Sequence, residues 1–229
     1  MSDAPATRRE RLRLQTLEEI KRHALAQIAE GGTGALSLNA IGKAMGMSGP
    51  AIYRYFPSRD AVLEALVTDG YAALTAALES AAAAATRRAP ARRVEALGVA
   101  YRDWAVAQPH LYGMLFGLRP TGYQDPDEAI AAVNGSMVVL LEAIGAVVGD
   151  REAPASAGRL DRELTRWSAA RGYGPEVDPR TLRLGVLAWT RLHGVVGLEL
   201  AGVLADMELD PVLLIEAEVR SIVAAAGGS

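Results

Sequence analysis

The sixteen residues "MGMSGPAIYRYFPSRD", Met45 to Asp60, hold two glycines, two prolines and three aromatic rings in a chain whose aromatic content is only 5%. Counting outward from Leu38, the apolar residues Ile41, Met45, Met47, Ile52 and Tyr55 fall at helical spacing on either side of Gly46. Glycine takes a positive φ without a Cβ penalty, so a short helix can turn sharply there into the next. Ile41 and Met45 are expected to pack against Ile52 and Tyr55. The second helix is expected to be capped by Ser48 and to hold Pro50 in its first turn. This is the spacing of a helix-turn-helix.

A helix presented in this way can enter the major groove of DNA, with its N-terminal residues at the base edges. The outward set is Ser48, Gly49, Pro50, Ala51, Tyr53 and Arg54. Glycine, proline and alanine offer no side-chain hydrogen bond, so base reading would rest on apolar contact with thymine methyls, on Tyr53 and Arg54, and on DNA shape.

The charge balance fits such a division of labour. The chain of 229 residues has a net charge of -3, yet residues 1–60 carry nine Lys/Arg against six Asp/Glu and residues 61–229 carry 15 against 21. A head of +3 and a body of -6 are built for different partners. Half the residues are hydrophobic and cysteine is absent. That leaves ample core and removes disulfides, thiolate nucleophiles and cysteine-ligated metal centres. No charged stretch followed by an apolar run opens the chain, and its most apolar stretches are interrupted by Glu142 or by Arg191, His193 and Glu199. The sequence therefore predicts neither an export signal nor a membrane partner, and a cytoplasmic setting.

Along the chain the periodicity is helical throughout. Residues 1–9 read as a flexible basic tail, and Leu14, Leu17, Ile20, Ala24, Leu25 and Ile28 mark a first helix that "EGGTG" stops. Ser37 caps a helix over Leu38 to Met45, and Ser58 and Asp60 begin a long helix that runs into an alanine tract. Helices are expected over Arg92 to Ala107, Leu111 to Phe116 and residues 159–171. Asp125-Pro126, Asp178-Pro179 and Asp210-Pro211 each place a capping carboxylate before a proline at a helix start. The fold class is all-α with about nine helices: a three-helix DNA-binding domain at 10–57 and a larger ligand-binding and dimerisation domain at 58–229.

The stretch "LSLNAIGKAMGMSGPAIYRYFPSRDAVLEAL", Leu36 to Leu66, resembles the DNA-binding signature of the TetR family of bacterial transcriptional regulators. The matching features are Ile41 and Ala44 of the small helix, the turn Gly46-Met47-Ser48, the triplet Tyr53-x-Tyr55-Phe56, and Arg59 three residues after the phenylalanine. The resemblance implies that Ser37, Tyr53 and Arg59 touch phosphates, with Lys43 a further candidate, and that the helix from Ser48 to Arg54 reads the groove. Pro50 and Ala51 stand where many members carry polar residues. A second cue, "LAWTRLHGVVGLEL" at Leu187 to Leu200, resembles the Trp-x3-His-Gly pattern of one subgroup's C-terminal domain through Trp189 and His193-Gly194.

The body of the chain carries two further expectations. A helix from Pro179 to about Ala205 is apolar on more than one side, with Leu182, Val186, Trp189, His193, Val196 and Leu200 as one stripe. Helix 211–226 adds Val212, Ile215, Val219 and Ile222. Gly194, Gly197 and Gly202 suit close approach of another helix. These two helices, near 179–205 and 211–226, are expected to form a homodimer as a four-helix interface. The dimer would set two recognition helices roughly 34 Å apart on a palindromic operator of double-stranded DNA. A small-molecule inducer, apolar or aromatic, is expected among Tyr101, Trp104, His110, Tyr112, Met114, Phe116, Met137, Leu141, Trp167, Trp189 and His193.

The function so read is a transcriptional regulator, a repressor in the commoner mode, with an activator as the alternative. A helical enzyme or small-molecule-binding protein without specific DNA binding is the reading from another class. His23, His110 and His193 stand in no metal-binding or triad spacing, and no phosphate-cradling glycine loop is present. The sequence predicts no catalytic residue, metal or cofactor.

Overall fold

The computed structural model describes residues 7–117, 125–149, 158–173 and 177–227. Among these residues there are eleven α-helices, one 3-10 turn and no strand. The chain divides into two compact units. The first comprises Met1–Gly70 with His110–Pro126, and the second Tyr71–Pro109 with Asp127–Ser229. The domain boundary expected after residue 57 thus falls inside the first unit. One stretch of the expected tail and most of the expected loop at 149–158 lie outside the described residues.

The first unit begins earlier than the apolar periodicity indicates. Helix α1 spans Arg8–Gly31, so Arg8 and Arg9 belong to a helix and not to a tail. Its start is set by reciprocal capping: the Glu10 amide donates to Thr7 Oγ1 at 3.3 Å and the Thr7 amide donates to Glu10 Oε2 at 2.7 Å. A 3-10 turn, Thr33–Ala35, leads to α2, Leu38–Ala44, and α3, Gly49–Ile52. The core of the unit gathers Ile20, Ala24 and Ile28 of α1, Ile41 of α2, Ile52 of α3 and Phe56. Ile20, Ile41 and Ile52 are fully buried, each worth about 1.5–3 kcal/mol relative to exposure. The expected packing of Met45 and Tyr55 on this core is present.

Helix α4, Arg59–Ala84, starts where Ser58 Oγ accepts from the Ala61 amide at 3.1 Å, and supplies Val62 and Leu66 to the same core. Lys21 of α1 clamps α4 by pairing with Asp69 at 2.5 Å while also meeting Glu18 at 2.5 Å. Partial burial works against the Lys21 charge, but its bonds to Asp69 and Glu18 outweigh this and hold its pKa above the ordinary lysine value.

In the second unit α5, Pro90–Ala107, packs on α7, Asp127–Val148, on α9, Pro179–Leu200, and on α11, Pro211–Ala225. Gly98 makes the approach possible: a Cβ there would lie 3.2 Å from Ile215 and 3.3 Å from Val219. Helix α6 is Pro109–Phe116 and α8 is Arg159–Arg171. Asp178 and Asp210 cap their helices as expected, accepting from the Thr181 amide at 3.1 Å and the Val212 amide at 2.8 Å. The Asp125-Pro126 pair is displaced, since α7 begins one residue beyond the proline.

The helix expected to run from Pro179 to Ala205 stops at Leu200. Gly202, at φ 78°, turns the chain into the four-residue α10, Val203–Asp206. Its glycine ends a helix instead of admitting a neighbour. Among the described residues of one chain, nothing outside its own helix lies within 4 Å of where a Cβ on Gly194 would stand. The buried line of α9 is Leu182, Gly185, Ala188, Leu192 and Val196. That line leaves Trp189, one of the expected apolar positions, and also Leu198 exposed. Helices α4 and α7 are long and apolar enough by composition to cross a bilayer, Glu142 notwithstanding. Here they place Leu74, Leu78, Leu140, Ile144 and Val148 in the protein's own core.

Candidate nucleic-acid interface

Gly46 sits at φ 65°, the left-handed corner that the turn between α2 and α3 requires. The corner is closed by backbone bonds from the Met45 amide to the Ile41 carbonyl at 3.0 Å and from the Met47 amide to the Gly42 carbonyl at 2.8 Å. Gly42 lets α3 settle closely: its missing Cβ would stand 3.5 Å from Ile52. The α-helical part of the segment expected to read the groove is only Gly49–Ile52. It continues through Phe56 by turn bonds such as Tyr55 amide to Ile52 carbonyl at 3.0 Å. Ser48 occupies the N-cap position, but its side chain makes no capping bond, contrary to expectation. Its carbonyl accepts from the Ala51 amide at 2.8 Å instead.

Burial sorts this segment cleanly. Ile52 and Phe56 are buried, whereas Ser48, Gly49, Pro50, Tyr53 and Arg54 are exposed and Ala51 is half-buried. Ser37, Lys43 and Arg59 are also exposed. Every position expected to meet DNA, Ala51 in part, therefore presents surface within one compact unit. Two of these side chains also bond to the protein. The Tyr53 hydroxyl donates to Asn39 Oδ1 at 3.4 Å, and an Arg59 Nη donates to the Thr33 carbonyl. Ser37 is fixed twice, its amide donating to Gln27 Oε1 at 2.8 Å and its hydroxyl accepting from the Ala40 amide at 3.3 Å. Sequence reading passed over Asn39, Thr33 and Gln27. Their partners lie ten to 26 residues away, and no local pattern marks such pairs.

The residues expected to line an inducer site are divided between the units. His110, Tyr112, Met114 and Phe116 belong to α6 in the first unit, where Met114 packs on the core and the Tyr112 and Phe116 rings lie 5.2 Å apart. In the second unit Tyr101 and His193 meet: the hydroxyl and Nδ1 are 2.6 Å apart, and the Trp189 ring lies 5.5 Å from the imidazole. Burial holds the His193 pKa below its ordinary value. That favours the neutral imidazole near pH 7. A second cluster joins Met137, Leu141 and Trp167 to Leu164, Leu182 and Tyr173, with the Trp167 and Tyr173 rings edge to face at 5.2 Å. Trp104 is buried on α5, and among the described residues its indole N–H has no hydrogen-bond partner. Glu199, one helical turn and a half beyond His193, is claimed by Arg102 in a two-point ion pair with Nε at 2.8 Å. Among the described residues no group of acidic, histidine or cysteine side chains has the arrangement of a metal site.

Two family profiles match this chain. "Bacterial regulatory proteins, tetR family" covers residues 20–66, and "Tetracyclin repressor-like, C-terminal domain" covers residues 94–222. The chain belongs to the TetR family. Among similar sequences are the HTH-type transcriptional regulators Rv1816 of Mycobacterium tuberculosis (strain H37Rv) and Mb1846 of Mycobacterium bovis. Each is 30% identical over 202 residues, covering 86% of this chain and 86% of the relative. The solved structure of SCO4313 is similar with a TM-score of 0.79 at 38% identity, over 95% of this chain and 100% of that one. The TetR family regulator PfmR from Thermus thermophilus shares the fold at a TM-score of 0.57 and 17% identity, over 90% and 97% of the two chains. This TetR-family chain is accordingly a DNA-binding transcriptional regulator and not an enzyme. Membership sets aside the reading as a helical carrier without DNA binding.

Proposed function

We propose that this regulator acts in the cytoplasm as a homodimeric repressor that leaves a palindromic operator when a small apolar or aromatic molecule binds. Within it, the element from Ser48 to Arg54 reads the major groove, and Ser37, Lys43, Tyr53 and Arg59 contact phosphates. The observation that carries this reading is the split of one short segment into a buried face, Ile52 and Phe56, and an exposed face holding Pro50, Tyr53 and Arg54. A scaffold anchored on one side and exposed on the other is what a groove-reading helix requires.

The dimer is assigned to α9 and α11. Trp189 and Leu198 on α9 and Leu213 on α11 are 38%, 47% and 60% exposed, which favours a second copy as their cover. The inducer is assigned to the second unit, to Tyr101, Trp104, Met137, Leu141, Trp167, Trp189 and His193, with the Tyr101–His193 pair as its polar anchor. The Trp-x3-His-Gly subgroup supplies the finer classification, on Trp189 and His193-Gly194. Helix α4 carries the signal, because it runs unbroken from Arg59 to Ala84 and contributes residues to both compact units. A ligand that prefers the form unable to grip DNA lowers operator affinity by its differential affinity for the two forms.

The test is to select genomic fragments that bind the purified protein and to measure their affinity across salt. Recovery of one palindromic sequence, lost in a Tyr53→Ala/Arg54→Ala variant that remains folded, is the expected result. Recovery of no sequence preferred over random duplex would overturn the proposal.

A further inference from the structure

The first turns of α1 carry Arg8, Arg9, Arg11 and Arg13 against the single acid Glu10, and all five are exposed. Glu10 is occupied in the capping bonds with Thr7. Among the described residues none of the four arginines lies in an ion pair, whereas the following turns are self-compensated by Glu18 with Lys21 and Glu19 with Arg22. Four unpaired cations at the positive end of a helix dipole, two of them at the repulsive i,i+4 spacing, oppose helix formation there. The core does not require these turns either, since the first buried residue of α1 is Ile20. A charge pattern that disfavours its own helix and stabilises no core points to a polyanion outside the protein.

Position identifies which one. Arg13 stacks its guanidinium over the Tyr55 ring, 5.6 Å from the centroid, and Tyr55 immediately follows Tyr53 and Arg54 of the reading element. The arginine-bearing turns are thereby tied to the segment that meets the groove. The geometry points to a second contact surface for DNA: Arg8, Arg9 and Arg11 grip the phosphate backbone flanking the bases that α3 reads, with Arg13 as the anchor. This rests on the reading of α3 given above. Six helical residues span about 8 Å, and one strand presents a phosphate roughly every 3.4 Å, so each head neutralises about two further phosphates.

The experiment compares the full-length parent with an Arg8→Ala/Arg9→Ala/Arg11→Ala variant on the selected operator and on a scrambled duplex of equal length, by fluorescence anisotropy over a salt series. Alanine keeps the helix, and circular dichroism verifies it. The expected result is a plot of log affinity against log salt that is shallower by about 2 per head, at about 0.9 for each phosphate no longer neutralised. Operator and scrambled duplex should weaken alike, leaving their ratio unchanged. A variant with the parental slope and affinity, beside a Tyr53→Ala/Arg54→Ala control that loses operator preference, overturns the arm while leaving the α3 reading intact. A control that keeps its preference removes the α3 reading and this inference together.

Discussion

Arg59 at the start of α4 donates to the carbonyl of Thr33, 26 residues earlier, and so closes the loop that leads into α2. The guanidinium has five N–H donors, and this bond leaves several for another acceptor. Arg59→Ala is expected to lower the unfolding free energy by about 0.5–1.5 kcal/mol and to weaken operator and random DNA equally. Arg59→Lys keeps the charge without the planar fork. It should recover much of the DNA affinity but little of the stability, which urea titration and anisotropy measure separately.

Gly46 and Gly49 respond to alanine in opposite directions. Neither has any atom within 4 Å of where a Cβ would stand, but only Gly46 has positive φ, at 65°. Gly46→Ala meets a backbone penalty alone, roughly 1–2 kcal/mol. Gly49→Ala restricts the unfolded chain at the first helical position of α3 and should stabilise by about 0.4–1 kcal/mol. Urea midpoints of the two variants check both signs.

Acid should weaken the second unit through His193. Burial depresses its pKa in the folded state, so the unfolded chain binds the proton more readily. Stability is then full above the unfolded value, about 6.5, and falls as pH drops from there toward the folded pKa. The slope cannot exceed about 1.4 kcal/mol per pH unit, and partial exposure of the ring keeps it smaller. His193→Asn should flatten the difference in unfolding free energy between pH 8 and pH 5.5 relative to the parent, with His23 and His110 unchanged in both proteins.

The proposed dimer is tested at Leu213, which is 60% exposed on α11 and makes little contribution to the protomer's own core. Leu213→Glu should leave the circular dichroism spectrum unchanged and shift sedimentation at micromolar concentration from dimer to monomer. Operator affinity should fall with it, since two half-sites would no longer be held by one molecule.

Local chemistry made much of this molecule legible. The left-handed glycine at 46, the carboxylate caps at Asp178 and Asp210 and the core pair Ile41 and Ile52 all follow from patterns within a dozen residues. What escaped the sequence depended on partners far along the chain. The inward face of α9 is decided by what α5, α7, α8 and α11 bring to it, so Ala188 and Leu192 are buried beside the larger, exposed Trp189. The glycines of that helix were ambiguous for the same reason, because a helix stop at Gly202 and a close approach use one residue type. Thr7 and Glu10 were within reach of a capping-box reading, but the lack of apolar residues before Leu12 hid the helix they begin.

The reading element is four helical residues long and is moored by Ile52 and, just beyond it, Phe56. Pro50, Tyr53 and Arg54 face outward, with the Tyr53 hydroxyl bonded to Asn39. On the proposed reading, exchanges at Pro50 and Arg54 would redirect which operator is chosen at little thermodynamic penalty to the scaffold, so target preference is free to diverge while the architecture stays put.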